Sequence, residues 1–590
     1  MDPKPGQTEI TPPQTQPDTM PAPDMPSSEP LVAATTEPVP SAVGQPAASR
    51  TRWLIGGGLA VAAIAAIALA ASFLAASPPP EVLKYVPADS AIVVELRPEL
   101  PGDQRQHLGN LLAHFPGFED QSTLDAKIDE VLERLTREAS NGEIDYLTRV
   151  KPLLAGPMAI SVTAEALDAT MVGGNPDGVL VAATTDGSAT CESIFGRTGV
   201  SSTHRQVDIT TIDRGLACAL HQRYLLVGTV TTIEASLDAR LDGTSIDADP
   251  TYRSARSELE GDQVASIFLD LDPVYDSLLD AVGTLGVPVA EIPEGLWVVL
   301  GVRLIDDAVI FDTYSPVAAS ALPSGGPTSA PAAESRFAAK LPADTLGFVE
   351  VHGVGASIQQ GLGALGGEPA TADVLQALED ALQLLGGAGN LTGWIEDVAI
   401  AVVPTDDSVG AAVLIRGKDA EAATARLSQI RNLLILASTG TDITLSDSDH
   451  DGVTVTTVDF GDVSSVLGSM GIPGAEVGRL EIAFAVRDDV VVIAGGGGTV
   501  ERILDVESGS SLATSGTYVR AIDLAGPRNN LQLFVALDAT LTLAEGFLPA
   551  AELETWTTEL KPYLDHLAGI GVTSVTTDTT GRSRVVITIK

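Results

Sequence analysis

Hydrophobic positions along the chain predict a sheet with helices laid on it. Ile92, Val94 and Leu96 alternate with other residues, as along a half-buried strand. Ile128, Val131, Leu132 and Leu135 recur at helical spacing, and Val374, Leu378, Ala381, Leu382 and Leu385 do the same further on. Residues 224–228 and 490–494 are short apolar runs suited to buried strands. Two strand-like runs, starting at Leu296 and Ala308, flank Ile305, Asp306 and Asp307 and predict a hairpin. The runs GIGVTSVTTD and SRVVITIK around Thr580 and Gly581 predict another. Strands clustered in this way favour an α+β fold with a mainly antiparallel sheet over a doubly wound one.

One apolar run is of a different kind. Residues 54–76 read LIGGGLAVAAIAAIALAASFLAA, 23 residues without a charge. At about 1.5 Å per residue they span a ~30 Å hydrocarbon core, so a single transmembrane helix in contact with the lipid bilayer is expected. Arg50 and Arg52 precede it, with Trp53 at the interface, and Ser77, three prolines and Glu81 follow. The positive-inside rule then places the N-terminus in the cytoplasm and the C-terminal bulk outside the cell membrane. A cleaved signal peptide fits poorly, because fifty residues precede the run. Residues 1–53 form a Pro-rich tail, with 12 of the 37 prolines before Arg50, and are expected to be disordered.

Beyond the anchor the pattern repeats. PADSAIVVEL from Pro87 is matched by PADTLGFVEV from Pro342, with Glu95 and Glu350 at equivalent places. VDITTIDRG from Val207 is matched by VTVTTVDFG from Val453. Thr232-Ile233-Glu234 is matched by Thr499-Val500-Glu501, and Thr251-Tyr252 by Thr517-Tyr518. Four pairs in one order predict two tandem diverged repeats, residues 81–315 and 336–590, joined by a Pro/Ser/Gly/Ala linker at 316–335. The longer stretch between Asp459 and Glu501 places an insertion in the second repeat at residues 460–478.

Composition narrows the functional classes. The formal net charge of −44 disfavours binding to a nucleic-acid backbone, and no nucleic-acid partner is expected. Basic partners and divalent cations stay open, while the simplest role of the acidity is solubility. Aromatic residues make up only 4%, so aliphatic side chains must fill the cores. The cysteines are Cys191 and Cys218; an extracytoplasmic setting permits a disulfide between them, with two buried free thiols as the alternative.

Residues 85–120, YVPADSAIVVELRPELPGDQRQHLGNLLAHFPGFED, resemble the bacterial domain-of-unknown-function family 3352 (DUF3352), with a Pro-Ala-Asp strand and a helix leading to Phe115-Pro116. The resemblance covers most of the exported region. It implies membrane-anchored envelope proteins and carries no activity, cofactor or site residue. No Phe-Pro follows Pro342-Ala343-Asp344 in the second half.

Candidate chemistry is sparse. Asp447, Asp449 and Asp451, with Gly452, match the opening of a calcium loop, but its twelfth position is Val458 where a bidentate Glu is needed, so a polar turn entering a strand is preferred. Residues 494–499 place four glycines between a strand and a helix without the Lys of a phosphate loop, so a turn with Thr499 as N-cap is expected. Asp270 and Asp272 are expected on one solvated strand face. Val463, Val466, Leu467, Met470 and Ile472 form either a patch for an envelope protein partner or a lid on their own domain. No catalytic motif and no cofactor site is recognised. The expectation is a non-enzymatic binding module; the alternatives are a hydrolase-like enzyme with its site between the repeats, and a structural spacer.

Overall fold

The structure is a computed structural model. It describes residues 81–97, 103–139, 145–152, 154–164, 166, 177–185, 191–195, 199–213, 215–273, 295–316, 332–359, 392–405, 408–439, 443–462, 479–507, 509–577 and 580–590. The helix expected at 54–76, the periodic stretch 374–385 and the patch from Val463 to Ile472 lie outside the described residues. Among the described residues no helix is long and apolar enough to cross a membrane.

Alternating runs become strands, and twenty of them join one sheet among the described residues. The first ten are β1 (Ser90–Leu96), β2 (Leu154–Thr163), β3 (Gly178–Thr184), β4 (Val200–His204), β5 (Val207–Asp213), β6 (Leu216–His221), β7 (Tyr224–Gly228), β8 (Ala265–Asp270), β9 (Trp297–Ile305) and β10 (Ala308–Pro316). The second ten are β11 (Gly347–Val351), β12 (Ile395–Pro404), β13 (Val409–Gly417), β14 (Thr444–His450), β15 (Val453–Asp462), β16 (Arg479–Arg487), β17 (Val490–Gly495), β18 (Leu531–Ala536), β19 (Leu567–Thr576) and β20 (Thr580–Ile589). Every pairing among them is antiparallel, as the clustered strands imply. The first ten lie in the order β4-β5-β6-β7-β3-β2-β1-β8-β9-β10. The second ten lie in the corresponding order, β14-β15-β16-β17-β13-β12-β11-β18-β19-β20.

The halves are not separate sheets. The hairpins β9–β10 and β19–β20 pair with each other through β10 and β20, from Ala308 opposite Thr588 to Pro316 opposite Thr580. Residues 316–335 are therefore not wholly a linker. Pro316 ends β10, and Ala333 bridges to Asn529.

Period-two alternation sorts side chains on the β10–β20 seam. Ile310 and Val586 face Ala525, from the helix Gly516–Ala525, in one apolar cluster. Farther along the same face, Asp312 is fully buried and sits opposite Arg584. Arg584 Nε donates to one Asp312 oxygen, and Arg303 Nε on β9 donates to the other at 3.1 Å. Glu260 takes the far side of Arg584 at 3.0 Å. On the opposite face, Leu108 and Leu112 of the helix Gln104–Leu112 and Phe115 join Val309 and Ile589 in a core that crosses the seam. The Phe115 of the Phe-Pro motif also meets the His566 ring edge-on at 5.7 Å.

The two outer edges are polar. β4 reads VSSTH and β14 reads TLSDSDH, and both are largely exposed. Charge and hydroxyls on an open edge discourage pairing with another chain.

Removing Asp312 leaves Arg584 and Arg303 facing a buried space without their acid. Asp312→Ala is expected to lower unfolding free energy by about 3–5 kcal/mol, the cost of breaking a buried ion pair from one side. Chemical denaturation checks this; a loss as small as that of an exposed-surface substitution contradicts the role given to the seam.

Candidate functional site

Strands β11, β12 and β13 place a chain of charged groups beside a polar cleft. Glu350 is on β11 and His352 lies one residue past its end, with the ring Nδ1 3.7 Å from the Glu350 carboxylate. Glu350 is fully buried. It accepts from Ser335 Oγ, from Gln532 Nε2 at 2.8 Å and from the Arg336 backbone N–H at 2.7 Å. None of these donors is cationic, and burial raises the carboxyl above its ordinary value against their pull.

His352 is 6% exposed. Its Nδ1 lies 3.3 Å from Asp397 and 3.7 Å from Glu350. Its Nε2 has no hydrogen-bond partner among the described residues. Asp397 is held by the Gly353 backbone N–H at 3.1 Å and by Arg416 Nε at 2.8 Å. Burial opposes its ionisation, but the His352 and Arg416 hydrogen bonds outweigh burial and hold the carboxyl at about 2. Arg416 also meets Glu396.

The cleft has a volume of about 380 Å³ and is lined by His352, Asp397, Arg416, Arg336, Lys418 and Gln359 among others. Arg336 and Lys418 are exposed, and neither side chain has an acidic partner among the described residues. In the sequence Glu350 stood out only as the counterpart of Glu95, and His352, Asp397 and Arg416 did not stand out at all. The Glu-x-His spacing at the end of an apolar run was the available signal; the β12 and β13 partners follow only from register.

The first half carries a different arrangement in the corresponding place. Glu95 on β1, 2% exposed, meets Arg97 at 2.6 Å and Arg256 at 3.3 Å. Two guanidiniums thus neutralise Glu95, where hydroxyl, amide and backbone donors hold Glu350.

The model of the family described as "Protein of unknown function (DUF3352)" matches residues 53–589. The chain belongs to the DUF3352 family. Two crystal structures of TP0453, forms IV and I, are similar at 9% and 10% identity, with TM-scores of 0.21 and 0.23; each match covers 40% of this chain and 79% of that one. No curated protein matches the chain.

The other candidates take these places in the DUF3352 chain. Asp447 and Asp449 lie on edge strand β14, and Asp451 lies in its turn to β15. Asp447 is taken by Arg431 at 2.5 Å and by Thr456 Oγ1 at 2.7 Å. Asp449 accepts the Gly452 backbone N–H at 3.2 Å. Asp451 and Gly452 both have positive φ, 51° and 80°, as an Asp-Gly hairpin turn requires. The carboxylate of Asp451 instead neighbours exposed Asp505 and half-buried His450, with donor atoms within 4.8 Å of one another, and His450 already pairs with Asp505 at 2.6 Å.

The glycine run serves close packing. A Cβ on Gly496 would meet the Gly410 Cα at 2.9 Å, and one on Gly410 would meet Thr499 Oγ1 at 1.9 Å. Thr499 is not the N-cap as expected. Gly498 is, at φ 76°, and the Thr499 hydroxyl turns back to the Gly496 carbonyl. Asp272 is past the end of β8 rather than on it, and accepts the Gly295 and Leu296 backbone N–H groups. Cys191 and Cys218 are joined by a disulfide.

The fold favours the ionised form of Asp397. Its contribution to stability is therefore complete above the ordinary value of 3.8 and is lost as pH falls toward about 2. Asp397→Asn is expected to lower the unfolding midpoint at neutral pH and to converge on the native chain in strong acid. A gap between the two that stays constant across that window in thermal melts contradicts the assignment.

Proposed function

We propose that this DUF3352 chain is a non-enzymatic binding protein of the cell envelope, anchored by residues 54–76 with its N-terminal tail in the cytoplasm. Its exported part is two diverged copies of one ten-stranded unit, and the His352 cleft of the second copy takes a small anionic ligand. The observation that carries the binding role is the pair Arg336 and Lys418. These are cations without an acidic partner among the described residues, placed at a cleft in a chain of net charge −44. An anion that fills the cleft also offers an acceptor to their N–H groups and reaches the buried His352 ring.

Duplication is supported by more than strand order. Tyr252 meets Phe268 edge-on at 5.2 Å and 84°, and Tyr518 meets Phe534 with the same values. Pro87 bridges to Ser245 as Pro342 bridges to Ser511. Export is supported by the disulfide, since such bonds persist in oxidising compartments. A catalytic site between the halves has less support, because the seam is a hydrogen-bonded ladder whose buried Asp312 is already paired.

Two measurements test this. Citrate is expected to raise the unfolding midpoint of the native chain and to leave that of the Arg336→Ala/Lys418→Ala double variant unchanged; equal rises in both remove the cleft from the proposal. In acid-quenched, denatured cells, a maleimide is expected to label Cys191 and Cys218 only after reduction. Full labelling without reductant contradicts export.

A further inference from the structure

Two matching places in the sheet are filled differently. Next to β7, the Tyr85 and Tyr224 rings lie 5.0 Å apart. The Tyr85 hydroxyl is 3.0 Å from His221 Nδ1, and the Arg240 guanidinium lies over the Tyr85 ring at 5.7 Å. Tyr85 is fully buried and Tyr224 is 3% exposed. These side chains plug the space beneath the helix Val230–Asp242, which packs on the turn ending at Tyr85.

In the second half the same backbone positions carry no ring. Lys340 ends the turn before Pro342 as Tyr85 ends the turn before Pro87, and each proline bridges to its serine. Arg487 and Val490 flank the β16–β17 turn, where Asp488 has φ 57°; His221 and Tyr224 flank the β6–β7 turn, where Gln222 has φ 58°. The chain follows one path and the aromatic plug is missing.

A cavity of about 460 Å³ stands there. Its volume is within the roughly 300–1,000 Å³ typical of small-molecule sites. Leu414, Val492, Ile503 and Leu504 wall it with Val490, each at most 5% exposed. Half-buried Lys340 and exposed Arg487 stand at its rim. Asp488, 75% exposed, also lines the cavity and pairs with Lys340 at 3.8 Å, which leaves the rim with a net positive charge. In a chain with 78 acidic and 34 basic residues, two cations at the rim of an apolar cavity select an anionic head and an apolar tail.

We propose that this cavity binds a single-chain fatty acid, with the acyl chain against Val490, Ile503 and Leu504 and the carboxylate between Lys340 and Arg487. The comparison of the two places rests on the correspondence of the halves, but the site itself does not, and it is separate from the His352 cleft. Filling the cavity with the first half's own residue gives the decisive variant, Val490→Tyr.

The test uses the full chain in lipid nanodiscs, a diazirine-bearing fatty acid as probe, and mass-spectrometric mapping of the adducts. Labelling is expected on the helix Thr499–Leu504 and on β17. It should fall about tenfold in Val490→Tyr, with unfolding midpoint recorded to confirm that the variant is folded. Lys340→Glu, at the rim, should weaken labelling by the acid about tenfold and leave labelling by the matching diazirine alcohol unchanged. The same chain carried on a phosphatidylcholine should not label the cavity, which separates a free acid from a bilayer lipid. The proposal is overturned if adducts lie away from the cavity, if Val490→Tyr labels as the native chain does, if acid and alcohol respond alike to Lys340→Glu, or if the phospholipid probe labels equally.

Discussion

The β10–β20 ladder makes one sheet out of two ten-stranded sets. Its backbone hydrogen bonds could form with many side chains. The seam is set by what lies on either face of it: Ile310, Val586 and Ala525 on one side and the Phe115 core on the other. Asp312 then allows little latitude in register. A one-residue slip would turn it to the other face, away from Arg584 and Arg303, and bury an acid without a partner. A buried charge is weak support for stability but strong support for register.

The two chemically distinctive places both lie in the second half. At one, Glu350, His352, Asp397 and Arg416 form a linked set of buried or half-buried ionisable groups beside a cleft. At the other, the Tyr85–Tyr224 plug of the first half gives way to a cavity with a basic rim. In the first half Arg97 and Arg256 close around Glu95, and the aromatic rings close the second place. Around Glu95 and Tyr85 the first half is neutralised and filled, where the second has a cleft and a cavity. This division accounts for a symmetric strand order carrying asymmetric sites.

Much of the fold was legible because it is local. Alternation at Ile92, Val94 and Leu96, and the turns at Asp306-Asp307 and near Thr580, specify strands and hairpins from neighbouring residues alone. Pairing of β10 with β20 was not legible, since long-range register depends on partners that share no local pattern. The same limit hid the site: Glu350 and His352 are close in sequence, but Asp397 and Arg416 reach them only across strands. Asp447, Asp449 and Asp451 show the opposite effect. Acids placed along an exposed edge strand and its Asp-Gly turn give the spacing of a calcium loop, yet alternation and the hairpin turn already explain that spacing. The N-cap expected at Thr499 moved to Gly498 because the turn needs positive φ, which the order of residues does not announce.

Native-state hydrogen exchange, resolved by strand, tests the single-sheet account most directly. The account predicts that amides of β10 and β20 exchange only through global unfolding, with one free energy for both, and far more slowly than those of edge strands β4 and β14. Amides of β10 and β20 exchanging as fast as the edges, or the two halves opening with separate free energies, would contradict it.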